Sequence, residues 1–270
     1  MRITGCEVLV KKSLLDVAFS SAKRKHTLLL LDDGPKSVES LMDSLETTRQ
    51  ALLPQMKILE ESYLVSKDNG TYSLSTMGKM FVKRMKPLLE TLETLDEDIS
   101  YWGSHNIEFI PSHLLKRINE LRSCKVITPP LSELYDINRD FFEQCNRSGS
   151  LTLMFTFLYP NFPEIYDEWI SNNVYVKLII SRELFERIKA NYADKFNEYM
   201  KSGLFEIFVY DHPTNFVSFG HNDYCSFFRL LSRKGDYDNK QLMCCSSSAV
   251  QWNRELCEYY LERSTRITEL

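Results

Sequence analysis

Glycine is scarce in this sequence, with nine among 270 residues, and the motifs that depend on glycine-rich loops are missing. There is no G-x-x-x-x-G-K-(S/T), no G-x-G-x-x-G and no G-x-S-x-G, and H-E-x-x-H is absent as well. These absences argue against a nucleotide-dependent enzyme, an α/β-hydrolase and a zinc protease. We therefore predict no catalytic residue, no metal site and no cofactor.

Long hydrophobic runs are also missing. The longest apolar stretches, Leu28–Leu31 and the interrupted Leu151–Tyr159, are far shorter than the roughly 20 residues that cross a bilayer. Near the N-terminus, the charged Glu7 interrupts any hydrophobic core of a signal peptide. We expect a soluble, cytoplasmic protein that has no membrane partner.

Cysteine is present but lacks the spacing of a metal site or a redox motif. The seven cysteines contain no C-x-x-C and include one adjacent pair: Cys6, Cys124, Cys145, Cys225, Cys244, Cys245 and Cys257. This pattern favours reduced thiols that pack as small apolar groups, and a redox or metal role stays open as the alternative.

Charge is unevenly distributed along an otherwise ordinary globular composition. Residues 1–86 carry 14 Lys+Arg and 10 Asp+Glu, a net +4. Residues 87–270 carry 19 and 27, a net −8, so that the chain totals −4. At this length two domains are expected, and a basic segment joined to an acidic body is typical of a nucleic-acid-binding module attached to another domain.

The first 86 residues show the element order of a winged helix-turn-helix. Four helix starts are each marked by a capping residue: Ser13, Ser21, Ser37, and Thr47 or Thr48. A hairpin follows, with a strand at 63–66, the turn Asp68-Asn69-Gly70 and a strand at 71–74. Two short helices joined by a tight turn favour this fold over the alternative, an arbitrary small helical domain.

The exposed side of the fourth helix is the expected recognition surface, because this helix enters the major groove in winged helices. Its inner side carries Leu52, Met56 and Leu59. The predicted DNA contacts lie before the third helix, on the fourth helix and in the wing: Lys36, Ser37, Thr48, Arg49, Gln50, Gln55, Lys57, Lys67, Asn69 and Thr71. Arginine and glutamine suit guanine and adenine edges, and the wing suits the phosphate backbone.

Apolar residues then repeat at spacings of four and three. The seam consists of Phe81, Met85, Leu88, Leu92, Leu95, Ile99 and Trp102. An a/d register over three heptads predicts a dimer helix, and the alternative is a helix that packs on its own domain. Pro87 interrupts this register, so we expect the helix to bend there or to restart with Pro87 in its first turn.

Residues 123–270 alternate between strand and helix patterns, which predicts an α/β domain whose strands are covered by helices. We expect helices at 111–121, 131–145, 163–170 and 183–200, and a last helix that begins after Ser247 or Ser248. The strands are expected at 124–128, 150–158, 174–180, 205–210, 216–219, 224–231 and 241–246.

Two sets of short segments after residue 86 carry a more specific resemblance to a known family. They are Tyr101-Trp102-Gly103-Ser104-His105 with Ile110-Pro111, and Gly235-Asp236-Tyr237-Asp238 with Ala249-Val250-Gln251-Trp252. Together with the winged helix they resemble archaeal regulators of methanogens, whose C-terminal domain is named for the methanogenesis regulator that controls filament growth. Many relatives have glycine where this chain has Asn253. The resemblance implies a cytoplasmic, DNA-binding transcription regulator.

The strand and helix order of residues 150–210 is also similar to one half of a phospholipase-D-like sheet. The catalytic motif of that family, a histidine followed by lysine two positions later, has no match here. The residues two positions after His26, His105, His113, His212 and His221 are Leu, Ile, Leu, Thr and Asp. We therefore expect a catalytically empty domain and no enzyme activity.

Without a catalytic motif, the C-terminal domain is expected to sense a small molecule in a pocket. The candidate lining residues are Phe155, Phe157, Tyr159, His221, Arg229 and Trp252. The alternative for each of them is an ordinary place in an aromatic core. We interpret His221-Asn222-Asp223 as a turn between strands and not as a metal pair.

These observations divide the chain into a winged helix-turn-helix at 1–86, a helical dimerisation segment at 87–122 and an α/β sensory domain at 123–270. We expect a homodimeric, sequence-specific DNA-binding regulator of methanogenesis-related genes. Its expected partners are double-stranded DNA, a second copy of the chain and an unidentified small effector. The alternative is a non-catalytic module whose winged helix docks other proteins.

Overall fold

The computed structural model describes residues 13–130, 133 and 136–270. The chain forms two compact units, of which the first ends at Leu89 and the second runs from Glu90 to Leu270. Both units mix helices with sheets, so the predicted α/β class is confirmed. Within the described residues, no helix is long and apolar enough to cross a membrane.

The first unit has the predicted winged helix-turn-helix order. Its elements are α1 (Leu14–Phe19), α2 (Ala22–Leu30), β1 (Lys36–Ser37), α3 (Val38–Ser44), α4 (Arg49–Glu61), β2 (Val65–Asp68) and β3 (Thr71–Leu74), followed by α5 (Thr76–Asp96). The three strands form an antiparallel sheet in the order β1-β3-β2.

Capping side chains begin the helices of this unit where the sequence predicts them. The hydroxyls of Ser13, Ser21, Ser37 and Thr48 each accept a hydrogen bond from the backbone N–H three residues later. Leu52, Met56 and Leu59 on α4 are fully buried with Leu28 and Leu41. The predicted inner side of the fourth helix is therefore confirmed.

The hairpin begins two residues later than predicted. Tyr63 has a left-handed φ of 58° and an exposed fraction of 75%, so it lies in the turn after α4 and not in a strand. The Ser75 hydroxyl donates a hydrogen bond to its carbonyl. A Cβ on Gly78 would lie 1.9 Å from the Leu64 carbonyl oxygen, so this position of α5 requires glycine.

The second unit contains one mixed sheet of eight strands in the order β11-β7-β6-β5-β8-β9-β10-β4. The strands are β4 (Lys125–Ile127), β5 (Ser150–Phe155), β6 (Tyr175–Ser181), β7 (Phe205–Tyr210), β8 (Phe216–His221), β9 (Ser226–Leu230), β10 (Gln241–Cys244) and β11 (Ser264–Ile267). The central strands β5, β6 and β7 are parallel, and the other neighbours are antiparallel.

Helices cover both faces of this sheet. They are α6 (Ile99–Ser104), α7 (Ser112–Leu115), a 3-10 helix (Ile118–Leu121), α8 (Arg139–Cys145), α9 (Phe162–Ser171), α10 (Arg182–Asn191), α11 (Ala193–Lys201) and α12 (Ser247–Leu261). Because side chains alternate along each strand, the unit has two apolar cores. Leu153 and Leu178 belong to the core beside α8–α11, and Met154 and Ile179 to the core beside α7 and α12.

Several predicted helices of this unit are shorter than expected. The predicted helix at 111–121 divides into α7 and the 3-10 helix, and the one at 183–200 divides at Tyr192. The predicted helix at 131–145 is seen only as α8, and residues 131, 132, 134 and 135 lie outside the described residues. The edge strand β11 was not predicted, because it pairs, within the described residues, with the sequence-distant β7.

The predicted heptad seam does not form one continuous helix. The chain leaves α5 at Asp96 and restarts at α6, where Asp98 Oδ1 accepts the backbone N–H of Tyr101 at 2.9 Å. Pro87 lies inside α5. Met85 and Trp102 are buried in the cores of their own units, and Phe81 and Leu95 are half-buried. The exposed seam residues are Leu88 and Leu92, which form the middle of the seam on α5, and Ile99 at the start of α6.

Candidate nucleic-acid interface

The helix-turn-helix pair is built by α3, α4 and the short turn between them. Glu46, in this turn, has a left-handed φ of 47°. Thr48 then caps α4 by accepting the Ala51 N–H at 3.4 Å. Because Leu52 and Met56 anchor α4 in the core, its N-terminal turn faces solvent. The free N–H groups and the positive dipole end of this turn favour contact with phosphate.

Arg49 and Gln50 are exposed on that first turn, as predicted for side chains that reach base edges. The Arg49 guanidinium lies 3.2 Å from Glu39 Oε1, and both side chains are mostly exposed. Backbone hydrogen bonding and Arg49 lower the pKa of Glu39, so the pair is charged at neutral pH. An exposed ion pair is weak, so the Arg49 guanidinium can exchange Glu39 for another anionic partner.

Gln55 does not lie on the exposed side, which corrects the prediction. Its Oε1 accepts a 2.6 Å hydrogen bond from Arg24 Nη1. Arg24 is buried, and its guanidinium also donates to the carbonyls of Val17 and Asp16. The physical reason is that a buried guanidinium needs acceptors on every side, and the Gln55 amide supplies one of them.

Lys57 is exposed further along α4. Its Nζ lies 3.8 Å from Glu61 Oε1, one helical turn away, and both side chains are largely in solvent. This exposed pair holds the Lys57 ammonium only weakly, and Lys57 lies two helical turns beyond the N-terminal end of α4.

The wing is the β2–β3 hairpin, and its turn has the predicted geometry. Asn69 and Gly70 have positive φ values of 46° and 80°. Lys67 pairs with Tyr72, and its ammonium lies 5.2 Å from the centre of that ring, while the side chain remains exposed. Thr71 is half-exposed at the start of β3.

Strand β1 brings the start of α3 to the same small sheet. Lys36 pairs with Tyr72 and Ser37 pairs with Thr71 on β3. Lys36 therefore lies across β3 from Lys67, which also pairs with Tyr72. The sheet register thus brings two lysines, one from the wing and one from the start of α3, to opposite sides of one strand position.

In the second unit, the predicted effector residues divide between the two faces of the sheet. Phe155, Phe157 and Tyr159 pack together, and the Arg229 guanidinium lies 5.4 Å from the centre of the Tyr159 ring. Trp252 belongs to the other core, where its Nε1 donates to the Leu114 carbonyl.

His221 also lies away from the Arg229 group, because it follows Phe219 by two positions and therefore points to the face that carries α12. Burial lowers the pKa of His221 to about 4, so its imidazole is neutral at pH 7. The six predicted lining residues therefore do not form one pocket.

The cysteines of the second unit correct the expectation of reduced thiols. Cys124 is bonded to Cys244, and Cys225 is bonded to Cys245. The two adjacent cysteines at the end of β10 therefore have different partners. Cys244 bonds to the residue before β4, and Cys245 bonds to the residue before β9. Among the described residues, no group of histidine, cysteine, aspartate or glutamate could hold a metal ion.

Models of one protein family match residues in both units of the chain. The family model for the N-terminal domain of the methanogenesis regulatory protein FilR1 matches residues 12–93, and the model for its middle domain matches residues 134–263. The methanogenesis regulatory protein FilR1 of Methanothrix harundinacea (strain 6Ac) is 23% identical over 260 residues, which are 93% of this chain and 57% of that protein. The chain thus spans little more than half the length of this curated relative.

Two solved structures are similar in part. TrmBL2, described as an archaeal chromatin protein with a novel mode of DNA binding, has a TM-score of 0.43 and 16% identity over 94% of this chain and 97% of that one. Nuc of Salmonella typhimurium, a phospholipase D family member, has a TM-score of 0.36 and 12% identity over 54% of this chain and 97% of that one.

Proposed function

The chain belongs to the methanogenesis regulatory protein FilR1 family, and from that premise we propose that it is a sequence-specific DNA-binding transcription regulator. In this proposal it acts as a homodimer, and its second unit senses a small molecule. The name of the relative suggests methanogenesis genes as targets.

The observation that carries this proposal is the first turn of α4. Arg49 and Gln50 are exposed beside a capped helix N-terminus, while Leu52 and Met56 fix the helix in the core. Residues 1–86 also carry a net charge of +4, which favours binding to the DNA backbone. Residues 87–270 carry a net charge of −8, which repels it. Side chains that read base edges need such a rigid, exposed helix turn.

Homodimer formation is supported by the exposed middle of the seam. Leu88 and Leu92 lie one helical turn apart on α5, and their side chains are 49% and 44% exposed. Two exposed leucines on one side of a helix can be buried against the same leucines of a second copy, which is the arrangement of a two-fold dimer. A dimer of winged helices reads two half-sites about 10 base pairs, or a multiple, apart.

We propose no catalytic role for the second unit. None of its histidines is followed, two positions later, by the lysine that phospholipase-D-like catalysis requires. His221 is buried and His105 is held by Asp238 at 2.9 Å, so neither is presented as a free nucleophile.

A genome-wide binding footprint tests the proposal, with the doubly substituted Arg49→Ala, Gln50→Ala protein as the matched control. We expect promoters that share a pseudo-palindrome to be enriched, and the enrichment to disappear in the variant. If no genomic duplex binds above the non-specific level, even at low salt, the regulator proposal fails. The winged helix is then a protein-docking module.

A further inference from the structure

A polar row crosses the sheet of the second unit on the face that carries α8–α11. Phe155 of β5 pairs with Ser218 of β8, and Ser218 pairs with Arg229 of β9. Leu242 of β10 pairs with Phe228, so the antiparallel register places Gln241 opposite Arg229. Three polar side chains therefore lie side by side across neighbouring strands, on the same face as Phe155.

Arg229 carries a buried charge that no carboxylate of the described residues balances. Its exposed fraction is 2%. Its Nη2 donates to the Asp136 carbonyl at 3.1 Å, and the guanidinium lies against the Tyr159 ring. A carbonyl and an aromatic ring are neutral, and a buried guanidinium normally has an anionic partner. The structure thus holds a cation whose counter-ion is missing from the described part of the chain.

Ser218 gives a second, independent observation. Its side chain is completely buried, and its Oγ has no hydrogen-bond partner among the described residues. An unsatisfied buried hydroxyl is costly and rare in folded proteins. Gln241, on the other side of Arg229, is also buried, with an exposed fraction of 2%. Ser218, Arg229 and Gln241 together offer hydroxyl, guanidinium and amide donors to one ligand.

A cleft of about 400 Å³ lies between α8 and the strands β4 and β10, and its lining includes Lys125, Asp140, Glu143 and Arg147 but none of the three row residues. Ile127, which pairs with Gln241, lines the cleft, and so does Asn138, two residues after Asp136. On the other side, the rings of Phe155, Phe157 and Tyr159 give an apolar wall. An apolar wall beside a few converging polar groups is the chemistry that a small-molecule site requires.

We propose that Ser218, Arg229 and Gln241 form an anion subsite for a small organic monocarboxylate whose apolar body packs on the aromatic wall. A single guanidinium matches one negative charge, whereas a phosphate dianion would keep an unbalanced charge in a buried site. The planar carboxylate also matches the fork of an arginine. This inference rests on the proposed function, because it names the ligand class of the sensory unit.

Thermal unfolding of the full chain with a panel of probes tests the inference. The probes are straight-chain and aromatic monocarboxylates, the matching primary alcohols and amides, and inorganic phosphate. We expect some carboxylates to raise the melting temperature in a concentration-dependent way, because they bind only the folded state. The neutral analogues and phosphate should leave it unchanged. A panel without any stabilising carboxylate, or phosphate that stabilises equally, overturns the proposed ligand class.

Two substitutions assign the effect to this row. Arg229→Gln should weaken carboxylate binding about 100-fold, and Ser218→Ala about 10-fold, while the exposed Arg233→Gln serves as the matched control. Ser218→Ala also separates a ligand role from a structural one. It removes an unsatisfied hydroxyl, so the ligand-free protein should be as stable as before or more stable. Carboxylate binding that is unchanged in Ser218→Ala and Arg229→Gln overturns the site.

The result of the carboxylate-binding test does not depend on whether the protein binds DNA. A gel shift of the same preparations, without carboxylate, reports the proposed function by itself. If the protein binds its operator but no carboxylate, this inference is wrong and the proposed function stands. If it binds carboxylates through Arg229 but no genomic DNA, the regulator proposal is wrong and the anion subsite stands.

Discussion

Arg24 Nη1 donates a 2.6 Å hydrogen bond to Oε1 of Gln55, and this contact separates the two glutamines of α4. Gln55 holds a buried guanidinium inside the first unit, whereas Gln50 is exposed on the first turn of the helix. Residues of the same type, five positions apart, therefore have different roles. One stabilises the unit, and the other is exposed at the place where we propose that DNA binds.

The first prediction concerns these glutamines. Gln55→Ala should lower the free energy of unfolding of the first unit by about 1–3 kcal/mol, because the buried Arg24 loses an acceptor. Gln50→Ala should change stability by no more than about 0.5 kcal/mol and should alter base preference. Urea unfolding and competition gel shifts measure the two effects. A change of base preference in Gln55→Ala, without loss of stability, would contradict the assignment.

The second prediction compares the recognition helix with the wing. Arg49→Ala should cost about 1–3 kcal/mol of operator binding and relax preference at one position in each half-site. Lys67→Ala should weaken all duplexes alike and reduce the salt dependence by about one phosphate contact. Salt-titrated gel shifts on operator and random DNA distinguish these results. If both variants bind like the unmodified protein, the DNA contacts a different surface.

The third prediction concerns the dimer. Leu88→Lys with Leu92→Lys places charges on the exposed middle of the seam and should give monomers, since buried, unpaired ammonium groups are costly. The exposed Met80→Lys is a control on the same helix. Light scattering reports the mass of each protein. A mass of one chain for the unmodified protein would show that the seam does not form a dimer.

The fourth prediction concerns the disulfides. The Cys124–Cys244 bond joins residues 120 positions apart, and Cys225–Cys245 joins residues 20 apart. In the chain-entropy account, bonds closing loops of these lengths contribute about 5 and 3 kcal/mol. Paired alanine substitutions should lower the melting temperature more for Cys124 with Cys244 than for Cys225 with Cys245.

Thiol labelling gives the control for this prediction. Cys145 and Cys257 are free but buried, and burial raises the pKa of the Cys145 thiol to about 12. Both should therefore resist labelling in the folded protein. In denaturant without a reducing agent, where burial no longer protects any thiol, labelling of the cysteines at positions 124, 225, 244 and 245 would show that the bonds do not form.

The fifth prediction concerns acid. Burial lowers the folded-state pKa of His221 to about 4, below its ordinary value of 6.5. Between these values the unfolded chain binds the proton more readily, so stability falls as the pH decreases from about 6.5 to about 4. The full loss is about 3 kcal/mol. Urea unfolding at pH 7 and pH 5 should show a smaller difference in His221→Phe than in the exposed His26→Gln control.

Local patterns in the sequence were enough to predict the helices and the hairpin turn of the first unit, but not β1 or the start of β2. The caps at Ser21, Ser37 and Thr48 and the turn at Asn69-Gly70 depend on contacts within three or four residues, which a sequence displays directly. The periodic burial of Leu52, Met56 and Leu59 follows in the same way, because a helix repeats every 3.6 residues. The alternation of strands and helices likewise gave the class of the second unit.

Only the tertiary structure decided which polar side chains meet. Ser218, Arg229 and Gln241 become neighbours through strand pairing, and Arg24 reaches Gln55 across 31 positions of the chain. Pairing of Cys124 with Cys244 and of Cys225 with Cys245 likewise depends on β4, β9 and β10 lying side by side. Such contacts follow from sheet register and packing between distant segments, and a one-residue shift of register would exchange one face for the other. The sequence determined the elements and their inner sides, and the packing of distant strands and helices decided the sites.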